Sequence, residues 1–384
     1  MSIPRRILIA TGDDDLDAPI VKNALLSKGH EVSVLLAEKC PTESTYAFSV
    51  GDGGWTARLN QPGGVIDLTH HDSVWWRRFG GFVPPREVHP DDQRIVFAEN
   101  SYFSDRLCDL IAPSAFWVNR HDADMAATNK TLQLQVAESL GLKIPRTLVT
   151  NDRKEAVDFI NNATANGQRV LHKSNLPHNW DTPDSGKKPR IGEAALISTK
   201  RLVPERMFRV VPSIMQVVCA KILEVRVAFM GSSYCAISYN DKPDVTCDRI
   251  DSRSHMQRFD MARRHYLPDP IVEQCKAMMK ELGLVFGCFD LLIDEQNDYV
   301  FLEVNSTGQW LWMEYACREI AMLDAFCDFI AHGETNNSAF TRTSRSLTVS
   351  QAKAWSQPWT DTHEGTANPC HHWVVHSLSR TCTS

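Results

Sequence analysis

Three oxygen-bearing side chains in the second half of the chain, Asp290, Glu303 and Asn305, are spaced as ligands for a hard cation. Side chains alternate along a strand, so the stretch 299–305 predicts Phe301, Glu303 and Asn305 on one face. Across a predicted hairpin, Asp290 interrupts the apolar run Gly287-Cys288-Phe289-Asp290-Leu291-Leu292. An ionised carboxylate in such a strand is costly unless a cation pairs with it. Asp, Glu and Asn supply hard oxygens without thiolate or imidazole, which suits Mg2+ against nucleotide phosphates better than zinc. From spacing alone, a salt bridge to Lys or Arg accounts for the carboxylates equally well.

The elements that must position these groups are readable from periodicity. Strands are predicted over 285–294 and 299–305, joined by the polar turn Glu295-Gln296-Asn297-Asp298. Before them lies a helix over 269–282 with Val272, Cys275, Met279 and Leu282 on one face and Gly283 as its stop, and strands near 214–218, 223–229 and 234–238. Asn129 is a predicted N-cap for a helix carrying Leu132, Val136 and Leu140, closed by Gly141. A strand over 147–149 follows, then a helix capped by Asn151 with Ala156, Phe159 and Ile160 inward, then a strand over 169–173. The stretch 174–190, crowded with Asn, Asp, Pro, Gly and Lys, predicts a mobile loop in the place of a lid.

The chain begins as strand, helix and strand over 6–10, 18–27 and 32–36. It has neither GxGxxG nor GxxxxGK[ST], and Thr11-Gly12-Asp13-Asp14-Asp15 puts carboxylates where a phosphate loop needs bare amides. A Gly-rich stretch over 51–64 leads to a strand over 73–78 and the turn Gly80-Gly81. Arg77 and Arg78 fall on opposite faces of that strand, so one of them at most faces a cleft, and Trp75 and Trp76 read as core. A last helix over 318–332 presents Ile320, Leu323, Cys327 and Ile330, and Gly333 ends it. From Glu334 onward the chain is Ser/Thr-rich without a period and predicts a poorly ordered tail. Cys370, His371, His372 and His376 within it are metal-donor types, but without surrounding structure they read as chance.

With 384 residues, 43% hydrophobic and 23% charged, the chain is long enough for two or three packed lobes and a cleft between them. No apolar run has membrane-spanning length. Residues 1–6 run straight into a strand without signal-peptide character, so the expected location is the cytoplasm. Eleven cysteines without a CxxC pair suggest reduced core residues, and a charge of -6 without a basic stripe argues against a nucleic-acid partner. No membrane partner is expected.

The ordered set of segments resembles the ATP-grasp fold over 123–330. Its carriers are Thr128-Asn129-Lys130, Val170-Leu171-His172-Lys173, Met215-Gln216-Val217-Val218, Leu223-Glu224-Val225-Arg226-Val227, and Phe289-Asp290-Leu291-Leu292 with Val300-Phe301-Leu302-Glu303-Val304-Asn305. The extension Gly308-Gln309-Trp310-Leu311-Trp312 and Val74-Trp75-Trp76-Arg77-Arg78 resemble one branch, the microviridin-type or graspetide ligases that mature ribosomal peptides (RiPPs). The resemblance implies an α/β fold with α+β lobes. It divides into an N-terminal pre-ATP-grasp domain (1–118), a central lobe (119–215), a C-terminal lobe with the metal site (216–333) and the tail (334–384).

It further implies ATP and Mg2+ as cofactors, with Lys130 and Lys173 on the phosphates, Gln216 and Val218 around adenine, and Arg226 on the transferring phosphate or acyl phosphate. Val217 stands where Glu is frequent. The implied substrate side is Arg77, Arg78, Gln309 and Trp310. Relatives of this branch often carry an Asp-x-Arg element for the precursor; here the aligned stretch is His255-Met256-Gln257-Arg258, with Asp251-Ser252-Arg253 just upstream.

The implied reaction is ADP-forming ligation through an acyl phosphate, joining a side-chain carboxylate of a precursor peptide to an amine or hydroxyl as an amide or ester. A ligase of amino acids or other small carboxylates is the alternative, and a non-catalytic nucleotide- or peptide-binding module the third reading. The sequence leaves a homodimer open.

Overall fold

In the computed structural model the described residues are 3–12, 15–37, 43–52, 54–61, 64–77, 87–175, 179–180, 190–191, 194–240 and 262–354. Arg78, Gly80, Gly81, Asp251 to Arg253, His255 to Arg258, Cys370, His371, His372 and His376 lie outside them, as does most of 174–190.

The first lobe opens as predicted. β1 (Arg6–Thr11) leads through α1 (Ala18–Ser27) to β2 (Glu31–Leu36), parallel to β1. The Gly-rich stretch is more than a connector: β3 (Thr45–Gly51), β4 (Gly54–Gln61) and β5 (Gly64–Asp67) make an antiparallel meander. β6 (Ser73–Trp76), the unforeseen helix α2 (Gln93–Leu110) and β7 (Phe116–Val118) complete a parallel sheet of order β2-β1-β6-β7. Both faces of β1 are buried, Ile7 and Ile9 on one side, Leu8 and Ala10 on the other, as in a parallel sheet covered twice.

Just before β6, burial pushes the His71 imidazole down to about 4. The folded state therefore binds its proton more weakly than the unfolded chain does. Stability should fall as pH drops below about 6.5 and level off near 4, losing at most about 3 kcal/mol. Urea titrations of wild type and His71→Asn across that window should differ in slope; parallel curves would exclude His71 as the source.

The central lobe begins with α3 (His121–Ala127) and α4 (Lys130–Ser139), the latter capped by Asn129, whose side chain accepts from the N–H groups of Thr131 and Leu132. β8 (Thr147–Thr150), α5 (Arg153–Ala165) and β9 (Val170–Lys173) follow. The cap of α5 is Asp152, one residue beyond the predicted Asn151. Two short strands, β10 (Asn179–Trp180) and β11 (Arg190–Ile191), pair within the predicted loop region. β12 (Ala195–Ile197), α6 (Glu205–Phe208) and β13 (Ser213–Val217) finish an antiparallel sheet of order β12-β9-β13-β8. β13 is an inner strand, residues 215 and 216 both lie within it, and the segment 218–222 joins it to the following strand.

The third lobe is a sheet of order β16-β15-β14-β17-β18, built from β14 (Leu223–Met230), β15 (Ser233–Tyr239), β16 (Arg263–His265), β17 (Phe286–Ile293) and β18 (Tyr299–Asn305). α7 (Asp269–Glu281) packs on one face, against Val225, Val227, Phe289 and Leu291. The other face, with Ala228, Cys235, Ile237 and Cys288, meets α1 and α9 (Met322–His332). α8 (Leu311–Ala316) lies between the last strand and α9.

The predicted disordered tail is corrected over 334–354. Phe340, Val349 and Ala352 are buried, and α10 (Val349–Ala354) packs on α1. Glu314 anchors this segment: its carboxylate accepts from the N–H of Val349 at 3.0 Å and of Leu323 at 3.0 Å and pairs with Arg342 at 2.7 Å. Sparse apolar residues, too few for a periodic signal, are enough because their partners lie on distant elements.

Candidate functional site

One face of the β14-β17-β18 sheet changes from apolar to charged along its strands. On β14 and β17, Ala228 and Cys288 belong to the core, whereas Arg226 and Asp290, the next residues on the same face, do not. The ladder sets Arg226 opposite Asp290, and Asp290 opposite Glu303. Arg226 Nη1 donates to Asp290 Oδ1 at 2.7 Å, and its Nη2 donates to the carbonyl of Gln309 at 2.9 Å. Asn305 Nδ2 is 3.3 Å from Asp290 Oδ2 and 3.3 Å from Glu303 Oε1. Lys130 Nζ lies 3.6 Å from Glu303 Oε2. Glu224, two residues before Arg226 on β14, meets Lys221.

Phe301 does not share this face. A β-bulge between Asp290 and Leu291 adds a residue to β18, so Phe301 turns into the opposite core beside Phe289, while Glu303 and Asn305 keep facing Asp290. The bulge thus ends the apolar alternation where the charged set begins.

The two carboxylates are held differently. Burial and the neighbouring Glu303 charge push Asp290 up against the pull of Arg226. Burial also opposes ionisation of Glu303, but Lys130 and Lys173 outweigh it and hold that carboxyl below its ordinary range. Glu303 therefore stays charged between two lysines, one at the start of α4 and one at the end of β9. Lys173 Nζ also donates to Gln216 Oε1 at 2.6 Å, and Gln216 Nε2 to Thr147 Oγ1 at 3.0 Å. Gln216 is 4% exposed and holds Lys173 in place. The Val218 N–H, a candidate adenine donor, is engaged by the carbonyl of Arg169 at 2.9 Å.

The donor set fits a divalent cation. The amide nitrogen of Asn305 sits between two carboxylate oxygens, where a cation between them would sit, and turning the amide over presents Oδ1 to the same space. Among the described residues no three His, Cys, Asp or Glu side chains gather as a metal-binding group; Asp290 and Glu303 offer two carboxylates with the Asn305 amide between them. Among the described residues the buried Nε of Arg226 has no hydrogen-bond partner, and it offers a donor to an anion.

Two of the residues expected on the substrate side are structural. Arg77 is 0% exposed and pairs with Asp15 at 2.5 Å and Asp17 at 2.7 Å, its guanidinium over the Trp75 ring. Trp310 is also 0% exposed and packs on Phe326, ring centroids 4.5 Å apart. Both are corrected from substrate contacts to core: two aspartates hold Arg77 through its Nε and Nη2, and the Trp310 indole packs on Phe286 and Phe326. Gln309 is exposed beside the site, its carbonyl on Arg226.

Three positioning residues escaped the sequence reading as such. Asn119 accepts from the N–H groups of Val285 and Phe286 and donates to the carbonyls of Phe286 and Ser306, pinning both ends of the hairpin to the lobe junction. Gln133 contacts β18 from α4. Gly308, noted only as part of a motif, lies against Arg226, Cys288 and Asn305.

No protein-family model and no curated protein matches the sequence. Solved structures do. A RiPP-associated ATP-grasp ligase from Chryseobacterium gregarium, in complex with ADP and a leader and core peptide, is 19% identical with a TM-score of 0.74, covering 88% of this chain and 99% of that one. The macrocyclase MdnC from Microcystis aeruginosa, bound with its precursor peptide MdnA, is 20% identical with a TM-score of 0.74 over 86% and 99%. The macrocyclase MdnB from the same organism is 25% identical with a TM-score of 0.70 over 86% and 100%.

Proposed function

We infer that this chain, whose fold is that of the ATP-grasp ligases, is an ADP-forming ligase that crosslinks side chains of a ribosomal precursor peptide. The observation that carries the reading is the joined row of Arg226, Asp290, Glu303 and Asn305 with Lys130 and Lys173 converging on Glu303. Two carboxylates and an amide suit a cation, and three cationic side chains around them suit a polyanion that brings the cation with it. The likeness to ligases that hold ADP or precursor peptides supports the same direction.

In this reading Asp290, Glu303 and Asn305 hold Mg2+, which when bound neutralises the phosphate oxygens of ATP. Lys130 and Lys173 turn from Glu303 to the phosphates. A substrate carboxylate oxygen attacks the γ-phosphorus, ADP leaves, and the acyl phosphate lies against Arg226, whose Nε donates to its oxygens. An amine or hydroxyl of the peptide then attacks the acyl carbon. Phosphate leaves with the bonding electron pair, the nucleophile loses its proton, and an amide or ester remains. The protein supplies charge and position, with no nucleophile of its own.

The test is to co-express the full chain with a short precursor peptide encoded beside it and weigh the peptide. Each ring should remove one water, and purified enzyme should release ADP and phosphate, not AMP, in step with ring formation. ADP release stimulated by free amino acids with an unchanged peptide mass would favour the small-carboxylate ligase. Absence of nucleotide turnover with either class of substrate would overturn the reading.

A further inference from the structure

We propose that Gln133 is a positioning residue for nucleotide binding: it fixes helix α4 on strand β18 so that Lys130 stands against Glu303. This rests on the reading above, in which Lys130 contacts ATP phosphates.

β18 is the edge strand of its sheet, so alternate peptide groups on its outer side lack a strand partner. At Val304 the side chain of Gln133 takes that place. Its Oε1 accepts from the Val304 N–H at 2.8 Å, and its Nε2 donates to the Val304 carbonyl at 2.9 Å. The remaining amide hydrogen goes to the carbonyl of Ala127, at the end of α3. Gln133 is 3% exposed, so all three bonds are made away from water.

Such a two-point contact fixes both direction and distance, as a neighbouring strand would. It acts on Val304, the residue beside Glu303. On α4, Lys130 and Gln133 are three residues apart and share one side of the helix. The amide therefore sets the 3.6 Å approach of Lys130 to Glu303 from one helical turn away. The capping bonds of Asn129 fix where that turn begins.

The separation of positioning from general stability lies in a double-mutant cycle with Lys130, read as affinity for ADP in the presence of Mg2+ by calorimetry on the full chain. Lys130→Met should weaken binding about tenfold, the loss of one charge-assisted phosphate contact. Gln133→Leu should weaken it by a similar factor, and the double variant should bind no more weakly than Lys130→Met alone. Gln133→Glu retains an acceptor for the Val304 N–H but not the donor for its carbonyl, and serves where the leucine variant does not fold. Additive losses, or wild-type affinity in both Gln133 variants, would overturn the proposal. If Lys130→Met binds normally, the phosphate role of Lys130 fails and the proposal with it. If the wild-type chain binds no ADP, the nucleotide reading itself is wrong.

Discussion

Glu303→Gln should lower ADP release by about 10³-fold while leaving the chain folded. The substitution keeps the size of the side chain and its place opposite Asp290 on the bulged ladder. It removes the charge that balances Lys130 and Lys173 and that, with Asp290, makes the site attractive to a divalent cation. Two affinities should then part. Without Mg2+, the freed lysines should bind ADP at least as tightly as in the wild type. Added Mg2+ should no longer tighten binding, because one of two carboxylate ligands is gone. Loss of affinity in both conditions would point to disturbed packing, and turnover above roughly a tenth of wild type would exclude Glu303 as a ligand. The Mg2+ dependence, measured by calorimetry, separates these outcomes.

That prediction was reachable from the sequence because Asp290, Glu303 and Asn305 carry their chemistry in their types, and an acid in the middle of an apolar strand is costly enough to need a reason. Helices with a 3.6-residue stripe and a terminating glycine, such as α4 and α7, were legible for a similar reason: stripe and glycine are local, and α4 adds the Asn129 cap. What was not legible depends on partners far along the chain. Phe301 leaves the site face because of a bulge that alternation cannot foresee, and the period-two reading of β18 fails at that residue. Arg77 looked available until Asp15 and Asp17, about 60 residues away, met it in the core. The segment 334–354 lacks a period, yet Glu314 and a few apolar side chains tie it down. Gln133 reads as an ordinary helix residue, since nothing local says that an edge strand lies beside it.

Gly308→Ala should cost both stability and turnover, because the loop after β18 passes the site without room for a methyl group. A Cβ there would lie 2.9 Å from Arg226 Nη2, 2.9 Å from Cys288 Cβ and 3.0 Å from Asn305 Cβ. None of the three can yield cheaply. Cys288 is in the core of β17, Asn305 is on the strand that carries the carboxylates, and Arg226 is tied to Asp290 and to the Gln309 carbonyl. Overpacking of this kind costs about 1 to 3 kcal/mol, to be read from urea unfolding. The larger effect should be chemical. The loop must move outward or Arg226 must turn, and either breaks the bond from Arg226 to Gln309 that aims its free Nε. A displacement of about 1 Å at a group facing the transferring phosphoryl is enough for a loss of about 10²-fold in kcat. KM for ATP should change little, since Lys130 and Lys173 act on Glu303 and neither contributes one of the three atoms nearest the new methyl. An alanine variant with normal kcat would show that the loop does not set Arg226. Normal stability with reduced kcat would show that the loop yields without unfolding and that the guanidinium is what moves.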